Sequence, residues 1–511
     1  MENELVKVGI FWAIPDKISG QLLLEFNKRY LATDGDSNGF INYPYSHFEV
    51  WNNEVKGLGD DCYKYPRGRV IYDLSTRKHR IFADKCVAQS TIDDVVECFE
   101  IGEYDLLYDE HYVCNKCQRS EERLARERSE IGELKYEILR GKDTIGGNLI
   151  EISYGDTRLL VDFGRALDGG DKLSELERKV IATEYDAVIL THYHTDHAGL
   201  IRYKNDCKFY MGKGTRNILS AESDYNGEQM PSSVATFING KPFKVGNILI
   251  TPYLCDHSAF DSYMLLFEAG GKSLLYTGDF RFHGRKSSDA LLKQLPKNVD
   301  TLIYEGTNVG RDVETISERE LEDKLVEVMR KNKKPVFVLQ SGTNIDRLVS
   351  VYRASKRAGR KLYEDNYTAL VANAAGGSIP RPDVFDDVFA FTPRRLCGKR
   401  YDMFAEIENR IGTNQICESD NPFTMIVRPS MLEYIEKLDK KICLLGSTLV
   451  YSMWNGYKHD VNTSRFLEGI RDMSIEIVDL HTSGHATKND IEKLKSAVCA
   501  KEEVCVHTKP I

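Results

Sequence analysis

The segment from Asp186 to Gly199, DAVILTHYHTDHAG, constrains the fold more than any other part of the sequence. Its first half is an apolar run typical of a buried strand. Its second half places four metal-ligating side chains within one tight turn: His192, His194, Asp196 and His197. Imidazole nitrogens and carboxylate oxygens at this density suit Zn²⁺ or a similar divalent ion, and α/β folds keep their chemistry at strand ends. The segment therefore predicts an α/β fold with a metal site, in which odd and even positions point to two different ions.

Length and composition describe an ordinary globular protein. The 511 residues are too many for one compact domain, so two or three domains are expected. No apolar run reaches membrane-spanning length and no signal peptide is recognisable at the start, so we expect a cytoplasmic protein. The 12 cysteines are scattered, which fits reduced thiols. The net charge of -9 argues against indiscriminate binding of polyanions but leaves room for a local basic groove.

The first 118 residues are rich in aromatic and turn residues, and they predict a small α+β accessory module of unknown role. Cys114 and Cys117 have half the spacing of a zinc site, and their partners would have to come from cysteines far away in the sequence. The alternative is that they bind no metal. Residues 119–140 mix both signs of charge at helical spacing, which predicts a solvated linker helix.

A second pattern starts near residue 141. Two predicted strands are joined by a Gly155-Asp156 turn, and Asp162 closes the second strand, from where it can orient the ligand loops from behind. With the histidine loop following, the chain resembles the metallo-β-lactamase fold. The resemblance implies two further ligands, His257 and Asp279. Asp279 matches the bridging ligand, because a carboxylate can bind two cations at once.

The later part of the chain narrows the resemblance. After the strand that ends at Glu305, the sequence makes a long excursion and returns with His485 and His507. These three residues match motifs A, B and C of the β-CASP nucleases, the group that includes ribonuclease J. From about Gly146 onward, the resemblance implies a metallo-β-lactamase αββα sandwich with an inserted α/β β-CASP domain. The expected boundaries are 141–310 for the core, 311–470 for the insert and 471–511 for the return to the core.

The chemistry of such a site assigns a role to each side chain. Two divalent ions, Zn²⁺ first and Mn²⁺ as the alternative, would clamp the scissile phosphate. Asp196 is the candidate acceptor of the water proton, His485 the candidate acid for the leaving oxygen, and Glu305 the group that orients His485. The expected ligands are His192, His194, His257 and Asp279 for one ion, and Asp196, His197, Asp279 and His507 for the other.

The insert carries an excess of positive charge. Residues 331–400 contain fourteen Lys and Arg against six acids, which suits contacts with a phosphate backbone. The alternative is a solvated helix face. The expected phosphate-binding residues are Ser483, Gly484, Arg347, Arg353, Lys356 and Arg357.

The sequence therefore predicts a nuclease that acts on RNA, by endonucleolytic or exonucleolytic cleavage. Three alternatives stay open: a nuclease for single-stranded DNA, a hydrolase for a small ester or nucleotide, and a binding module without catalysis. The expected partner is nucleic acid rather than a membrane, and a homo-oligomer is left open.

Overall fold

The computed structural model of the chain describes residues 6–8, 11–13, 21–26, 68–73, 78–83, 92–93, 96, 102–108 and 132–508, with gaps at 168–169, 171, 311–314 and 419–420. The chain divides into two compact units, residues 1–131 and 132–511. The sequence prediction for Cys114 and Cys117, and the linker-helix prediction for 119–131, lie outside the described residues.

The first unit contains two small sheets in its described part. One is an antiparallel pair, and the other has four strands in the order β3-β4-β5-β6, of which only the last pair is parallel. The strands are β1 (Val6–Val8), β2 (Phe11–Ala13), β3 (Gln21–Phe26), β4 (Gly68–Asp73), β5 (Lys78–Ala83) and β6 (Tyr104–Tyr108).

The second unit begins with a strand where the sequence predicted the end of a helix. Residues Lys135–Arg140 form β7 and pair with the antiparallel strand Leu149–Tyr154. The linker-helix prediction is therefore wrong for these residues. Charged and apolar side chains alternate here, and Tyr136 and Ile138 pack against the core, so the pattern has the period of a strand.

The first sheet of the core has the strand order β12-β11-β10-β9-β8-β7. Strands β9 to β12 are parallel, so their carboxyl ends lie at one edge. The further elements of this part are β8 (Leu149–Tyr154), β9 (Thr157–Val161), α1 (Glu175–Ala182), β10 (Ala187–Ile189), α2 (Thr195–Ala198), a 3₁₀ turn (Ile201–Tyr203), β11 (Lys208–Gly212), α3 (Lys213–Asn226) and β12 (Val234–Phe237).

The second sheet packs face to face on the first. Its order is β13-β14-β15-β16-β17, followed by the last strand of the chain, and the final three strands are parallel. Its elements are β13 (Phe243–Val245), β14 (Ile248–Cys255), β15 (Ser262–Ala269), β16 (Lys272–Tyr276), α4 (Ser288–Gln294) and β17 (Thr301–Glu305).

Alternation along the strands produces the αββα sandwich that the sequence predicted. In β9, Leu159 and Val161 enter the core between the sheets, whereas Leu160 faces outward to the layer that includes α1 and α3. In β15, Leu265 enters the same central core and Leu266 faces α4. Each sheet is therefore apolar on both faces, which requires a helical layer on either side.

The insert is a seven-stranded parallel sheet, β21-β20-β19-β22-β18-β23-β24, with an apolar core on each face. One of these cores is continuous with the outer layer of the first core sheet. Its elements are α5 (Glu318–Lys331), β18 (Val336–Leu339), α6 (Ile345–Arg357), β19 (Lys361–Asp365), α7 (Asn366–Ala375), β20 (Val388–Phe391), α8 (Arg394–Cys397), a 3₁₀ helix (Gly398–Phe404), β21 (Arg410–Ile411), α9 (Thr413–Glu418), β22 (Phe423–Val427), a 3₁₀ turn (Pro429–Met431), α10 (Leu432–Ile442), β23 (Thr448–Tyr451), a 3₁₀ turn (Asn455–His459), α11 (Val461–Asp472) and β24 (Glu476–Asp479).

The chain returns to the core through α12 (Lys488–Val498) and β25 (Glu502–Val506), which pairs with β17 in parallel. In the part of the chain that the structure describes, no helix is both long and apolar enough to cross a membrane.

Candidate metal centre and active site

The predicted ligands follow strands of both core sheets. The histidine loop follows β10, Asp279 follows β16, and His507 directly follows β25, while His257 lies just beyond β14. Carboxyl ends of parallel strands meet at one edge of a sheet, so side chains far apart in sequence converge there. This convergence creates the candidate site.

Three histidines form a first group of donors. The Nδ1 atom of His194 lies 3.1 Å from Nε2 of His192 and 3.1 Å from Nε2 of His257. Neighbouring nitrogen ligands of a tetrahedral zinc lie about 3.3 Å apart, given Zn–N bonds of about 2.0–2.1 Å. The spacing therefore fits one shared ion.

The second group contains Asp196, His197, Asp279 and His507, whose donor atoms all lie within 4.8 Å of one another. Asp279 Oδ2 is 3.2 Å from His197 Nε2 and 3.9 Å from His257 Nε2. Asp279 therefore stands between the two groups, where the sequence expected a bridging carboxylate. The structure thus brings together the seven side chains that the sequence expected as ligands, and their assignment to two ions stays a prediction.

The state of these side chains suits metal ions. Oδ1 of Asp279 is buried and has no hydrogen-bond partner among the described residues. Burial lowers the pKa of His192 and His257, and it lowers that of His194 to about 4. These imidazoles are therefore neutral near pH 7, the form in which histidine binds a metal.

Asp162 fixes the histidine loop from behind, as the sequence expected. One carboxylate oxygen accepts hydrogen bonds from the backbone N–H and the hydroxyl of Thr191, at 2.8 and 2.9 Å. The other lies 2.7 Å from Nδ1 of His197 and accepts from the Tyr276 hydroxyl at 2.9 Å. With Nδ1 held in this way, Nε2 of His197 points to the donor group. Asp162 adopts a φ of 59°, a strained conformation at a functional position.

His485 lies on the open side of the donors. Its Nδ1 atom is 3.2 Å from Glu305 Oε1, and its side chain is 24% exposed, whereas that of His507 is only 1% exposed. Burial opposes the charged form of His485, but the carboxylates of Glu305 and Asp279 outweigh burial and raise its pKa to about 9. Asp196, at 15%, is also partly exposed, as is His194. Both predicted proton-transfer groups are thus accessible.

Thr307 and Asn308 are structural residues that sequence reasoning missed. The Thr307 hydroxyl lies 2.7 Å from His507 Nδ1 and 3.2 Å from His485 Nδ1, so it contacts both late histidines. The amide of Asn308 donates to the carbonyl of His485 at 3.3 Å and to that of Ala486 at 3.1 Å. The only signal in the sequence was their position directly after Glu305 at the end of a strand.

A buried charge network joins the core to the insert, and the sequence did not predict it. The fully buried Arg281 contacts Asp256 at 2.8 Å, Asp346 at 2.6 Å and Glu318 at 3.2 Å. Its Nη1 also donates to the carbonyl of Ser483, two residues before His485, at 2.9 Å. The network therefore supports the loop that carries the candidate acid.

Arg347 belongs to this network, which contradicts its expected role. Its side chain is fully buried, pairs with Glu318 at 3.1 Å and donates to the carbonyl of Thr482 at 3.2 Å. The sequence placed it among the phosphate-binding residues, but its guanidinium has no exposed surface for a phosphate. Helix α6 carries several basic residues, but the side chain of Arg347 points inward because Glu318 supplies a buried partner.

The other expected phosphate contacts are placed differently. Arg353, Lys356 and Arg357 all lie on the exposed face of α6, and Arg357 pairs with Glu322 and Asp323 at 3.0 and 2.7 Å. Arg353 and Arg357 line a cleft of about 640 Å³, together with Gly284, Arg285, Arg319, Glu322 and Asp323.

Ser483 and Gly484 stand at the site, but their carbonyls are already engaged. The Ser483 carbonyl accepts from Arg281 and from His283, each at 2.9 Å, and the Gly484 carbonyl lies 2.6 Å from His257 Nδ1. A Cβ at Gly484 would lie 2.8 Å from the Ser258 hydroxyl, so a larger residue here would displace that side chain. Both residues therefore hold the loop against the first donor group.

The αββα sandwich, the donor groups at its strand ends and the inserted domain fit the metallo-β-lactamase fold. The sequence matches the β-lactamase superfamily domain over residues 157–330. It is also similar to ribonuclease J of Sinorhizobium meliloti, at 23% identity over 51% of this chain and 51% of that protein. The resemblance that the sequence predicted is thereby confirmed.

Two further proteins are similar. The transcription termination factor FttA of Methanocaldococcus jannaschii is 27% identical over 37% of this chain and 33% of that protein. This chain thus spans between a third and a half of the length of these relatives. A crystal structure of a protein of unknown function from Enterococcus faecalis V583 superimposes with a TM-score of 0.59 at 21% identity, covering 73% of this chain and 93% of that one. That likeness supports the fold alone.

Proposed function

We propose that this protein is a two-metal phosphodiesterase that cleaves single-stranded nucleic acid, with RNA as the main substrate. The observation that carries the proposal is the pair of donor groups, in which Asp279 of the second group lies 3.9 Å from His257 of the first, with the partly exposed His485 beside them. Two ions held a few ångströms apart are the arrangement that phosphodiester cleavage uses. The relative named ribonuclease J supports RNA over DNA.

The donor set assigns one ion to His192, His194 and His257 and the other to Asp196, His197 and His507, with Asp279 between them. When bound, such ions polarise the phosphate and lower the pKa of the attacking water. Zn²⁺ suits the histidine-rich donor set, and Mn²⁺ is the alternative.

The remaining groups move protons. Asp196 accepts the proton of the attacking water, whose oxygen forms a new bond to phosphorus as the bond to the leaving oxygen breaks. His485 then gives a proton to that oxygen. Glu305 accepts a hydrogen bond at Nδ1 of His485 and leaves its Nε2 edge for the leaving group. The exposed side chains Arg353, Lys356 and Arg357 contribute phosphate contacts farther along the backbone.

The test is cleavage of end-labelled RNA and DNA, single- and double-stranded, with Zn²⁺ or Mn²⁺ added. We expect cleavage of single-stranded RNA, and loss of cleavage in Asp279→Asn. The exposed Asp289→Asn provides a control that removes the same charge without touching the donors. Comparison of 5′- and 3′-labelled substrates separates endonucleolytic from exonucleolytic cleavage.

Two results would replace the proposal. Cleavage of DNA but not RNA would assign the site to single-stranded DNA. Turnover of a chromogenic phosphodiester without cleavage of any oligonucleotide would favour a small ester or nucleotide as the substrate.

A further inference from the structure

A loop with two exposed aromatic rings leaves the insert sheet beside the His485 loop. It begins at Ser452, directly after β23, and the hydroxyl of Ser452 donates to the carbonyl of Leu480 at 2.6 Å. Arg347 donates to the carbonyls of both Ser452 and Thr482, at 3.1 and 3.2 Å. The two loops therefore start from the same buried support.

The aromatic rings belong to Trp454 and Tyr457, which are 51% and 47% exposed. Their centroids lie 5.4 Å apart and their planes are perpendicular. Single exposed apolar side chains are common, but large aromatic rings exposed side by side form a patch of the kind found at interaction sites. The pair is therefore a candidate contact surface.

The backbone holds this pair in a defined position. The carbonyl of Trp454 accepts hydrogen bonds from the Tyr451 hydroxyl and from the N–H of Tyr457, each at 3.0 Å. A Cβ at Gly456 would lie 2.1 Å from the Trp454 ring, so the indole lies directly on the glycine. A hydrogen-bonded turn thus fixes the position of both rings, so little ordering is required when a ligand binds.

The surface lies beside the loop that carries His485. Strands β23 and β24 are parallel neighbours, so the loops that follow them leave the same edge of the insert sheet. Lys458, next to Tyr457, pairs with Asp479 at 2.6 Å, and Asp479 is the last residue of the strand that leads to the His485 loop. A nucleic acid strand that reaches His485 would therefore pass the aromatic pair.

We propose that Trp454 and Tyr457 form a stacking surface for an unpaired nucleobase next to the scissile phosphate. This inference rests on the proposed function and specifies its substrate. The metals and His485 contact only a phosphate, whereas an aromatic surface binds the face of a base. Stacking on an aromatic side chain does not depend on base identity, and it is worth roughly a five- to hundredfold gain in affinity per base.

A stacking surface also explains a preference for single strands. A base inside a duplex is covered on both faces by its neighbours, so it cannot lie on Trp454 without leaving the helix. In a protein with a net charge of -9, stacking also adds affinity that needs no positive charge.

The experiment compares cleavage of a single-stranded oligonucleotide with cleavage of the same strand lacking one base beside the cut. Wild-type protein should prefer the intact strand in kcat/KM by roughly tenfold. Trp454→Ala should abolish this preference and Trp454→Phe should keep most of it. Gly456→Ala should reduce it as well, since the new methyl group displaces the indole while the tryptophan remains. Tyr203→Ala removes an exposed aromatic ring elsewhere in the core and should leave the preference intact.

Several results would overturn the inference. If wild-type protein cleaves both strands equally well, or if Trp454→Ala keeps the full preference, the rings do not stack on a base. Loss of a dimer in Trp454→Ala, with an unchanged preference, would assign the surface to a second copy of the chain. A wild-type protein that cleaves no oligonucleotide at all would instead remove the proposed function, and the inference with it.

Discussion

Replacing Glu318 by glutamine tests whether the buried charge network holds the insert against the core. The carboxylate of Glu318 has no solvent exposure and accepts four hydrogen bonds: from Arg281 Nη1 at 3.2 Å, Arg347 Nη2 at 3.1 Å, Arg347 Nε at 3.4 Å and the Ser350 hydroxyl at 2.6 Å. Burial raises the pKa of Glu318, but the two arginines outweigh burial and hold it well below its usual value. The side chain is therefore ionised, and glutamine removes the charge at constant shape.

The expected cost follows from these contacts. Hydrogen bonds to a charged group contribute about 1.5–3 kcal/mol each, but four of them are not additive, and glutamine keeps one acceptor oxygen. Removal of one partner from a buried ion pair costs about 3–5 kcal/mol, because the other charge stays buried without compensation. We expect Glu318→Gln to lose about that much free energy of unfolding.

A double-mutant cycle in urea, followed by far-ultraviolet circular dichroism, measures the effect. In Glu318→Gln the charge of Arg347 stays buried without its carboxylate, and Arg347→Met removes that charge. The double variant should therefore be more stable than the sum of the two single losses implies. The exposed pair Glu433 and Lys437, whose nearest atoms are 3.6 Å apart, serves as a control that should show no measurable coupling. Additive losses for Glu318 and Arg347 would refute the reasoning.

Three further predictions concern the site itself. Purified protein should contain about two divalent ions per chain, because seven ligand side chains exceed one tetrahedral shell; elemental analysis that finds almost none would contradict this. Elemental analysis should also show that His507→Ala loses one ion, whereas His485→Ala keeps both. In activity assays, His485→Ala should lose about 10²- to 10⁴-fold in turnover on an oligonucleotide and far less on a nitrophenyl ester, whose leaving group needs no acid. Metal loss in His485→Ala would reverse the assignment. Replacing Arg353, Lys356 and Arg357 together by alanine should weaken oligonucleotide binding and reduce the slope of log affinity against log salt concentration by about one per lost contact. Alanine at the three lysines of α10 should change neither quantity. Unchanged binding in the first variant would place the nucleic acid groove elsewhere.

The sequence predicted the ligand set because its members follow strands that are apolar on both faces. Such strands are recognisable in sequence, and a polar side chain after them lies at the carboxyl edge of the sheet, as His192 and Asp279 do. The order of the motifs then supplied His485 and His507. Each of these predictions required only a local sequence pattern and the rule that functional side chains lie at the carboxyl edge of the sheet.

Partners across long sequence distances could not be predicted in this way. Arg347 is on a helix with several other basic residues, and only the position of Glu318, 29 residues earlier, turns it inward. Thr307 meets His507 across 200 residues and Arg281 meets Ser483 across 202. Polar residues in loops give no periodic signal, so their pairing depends on packing that a single sequence does not display. Residues 135–140 were assigned to a helix together with the mixed charges that precede them, although charged and apolar side chains alternate from Lys135 onward.

The insert also helps to position the candidate acid. The candidate acid His485 comes after the insert in sequence, and its loop is held by side chains from both domains: Arg281 of the core donates to Ser483, and Arg347 of the insert donates to Thr482. Glu318 bonds both arginines, so a movement of the insert relative to the core would stretch the contacts that place His485. The candidate metal ligands depend on these contacts less, since the strands that precede them belong to the core sheets, although His257 contacts the same loop through the Gly484 carbonyl. We therefore expect a change at Glu318 to disturb the position of His485 more than the two donor groups.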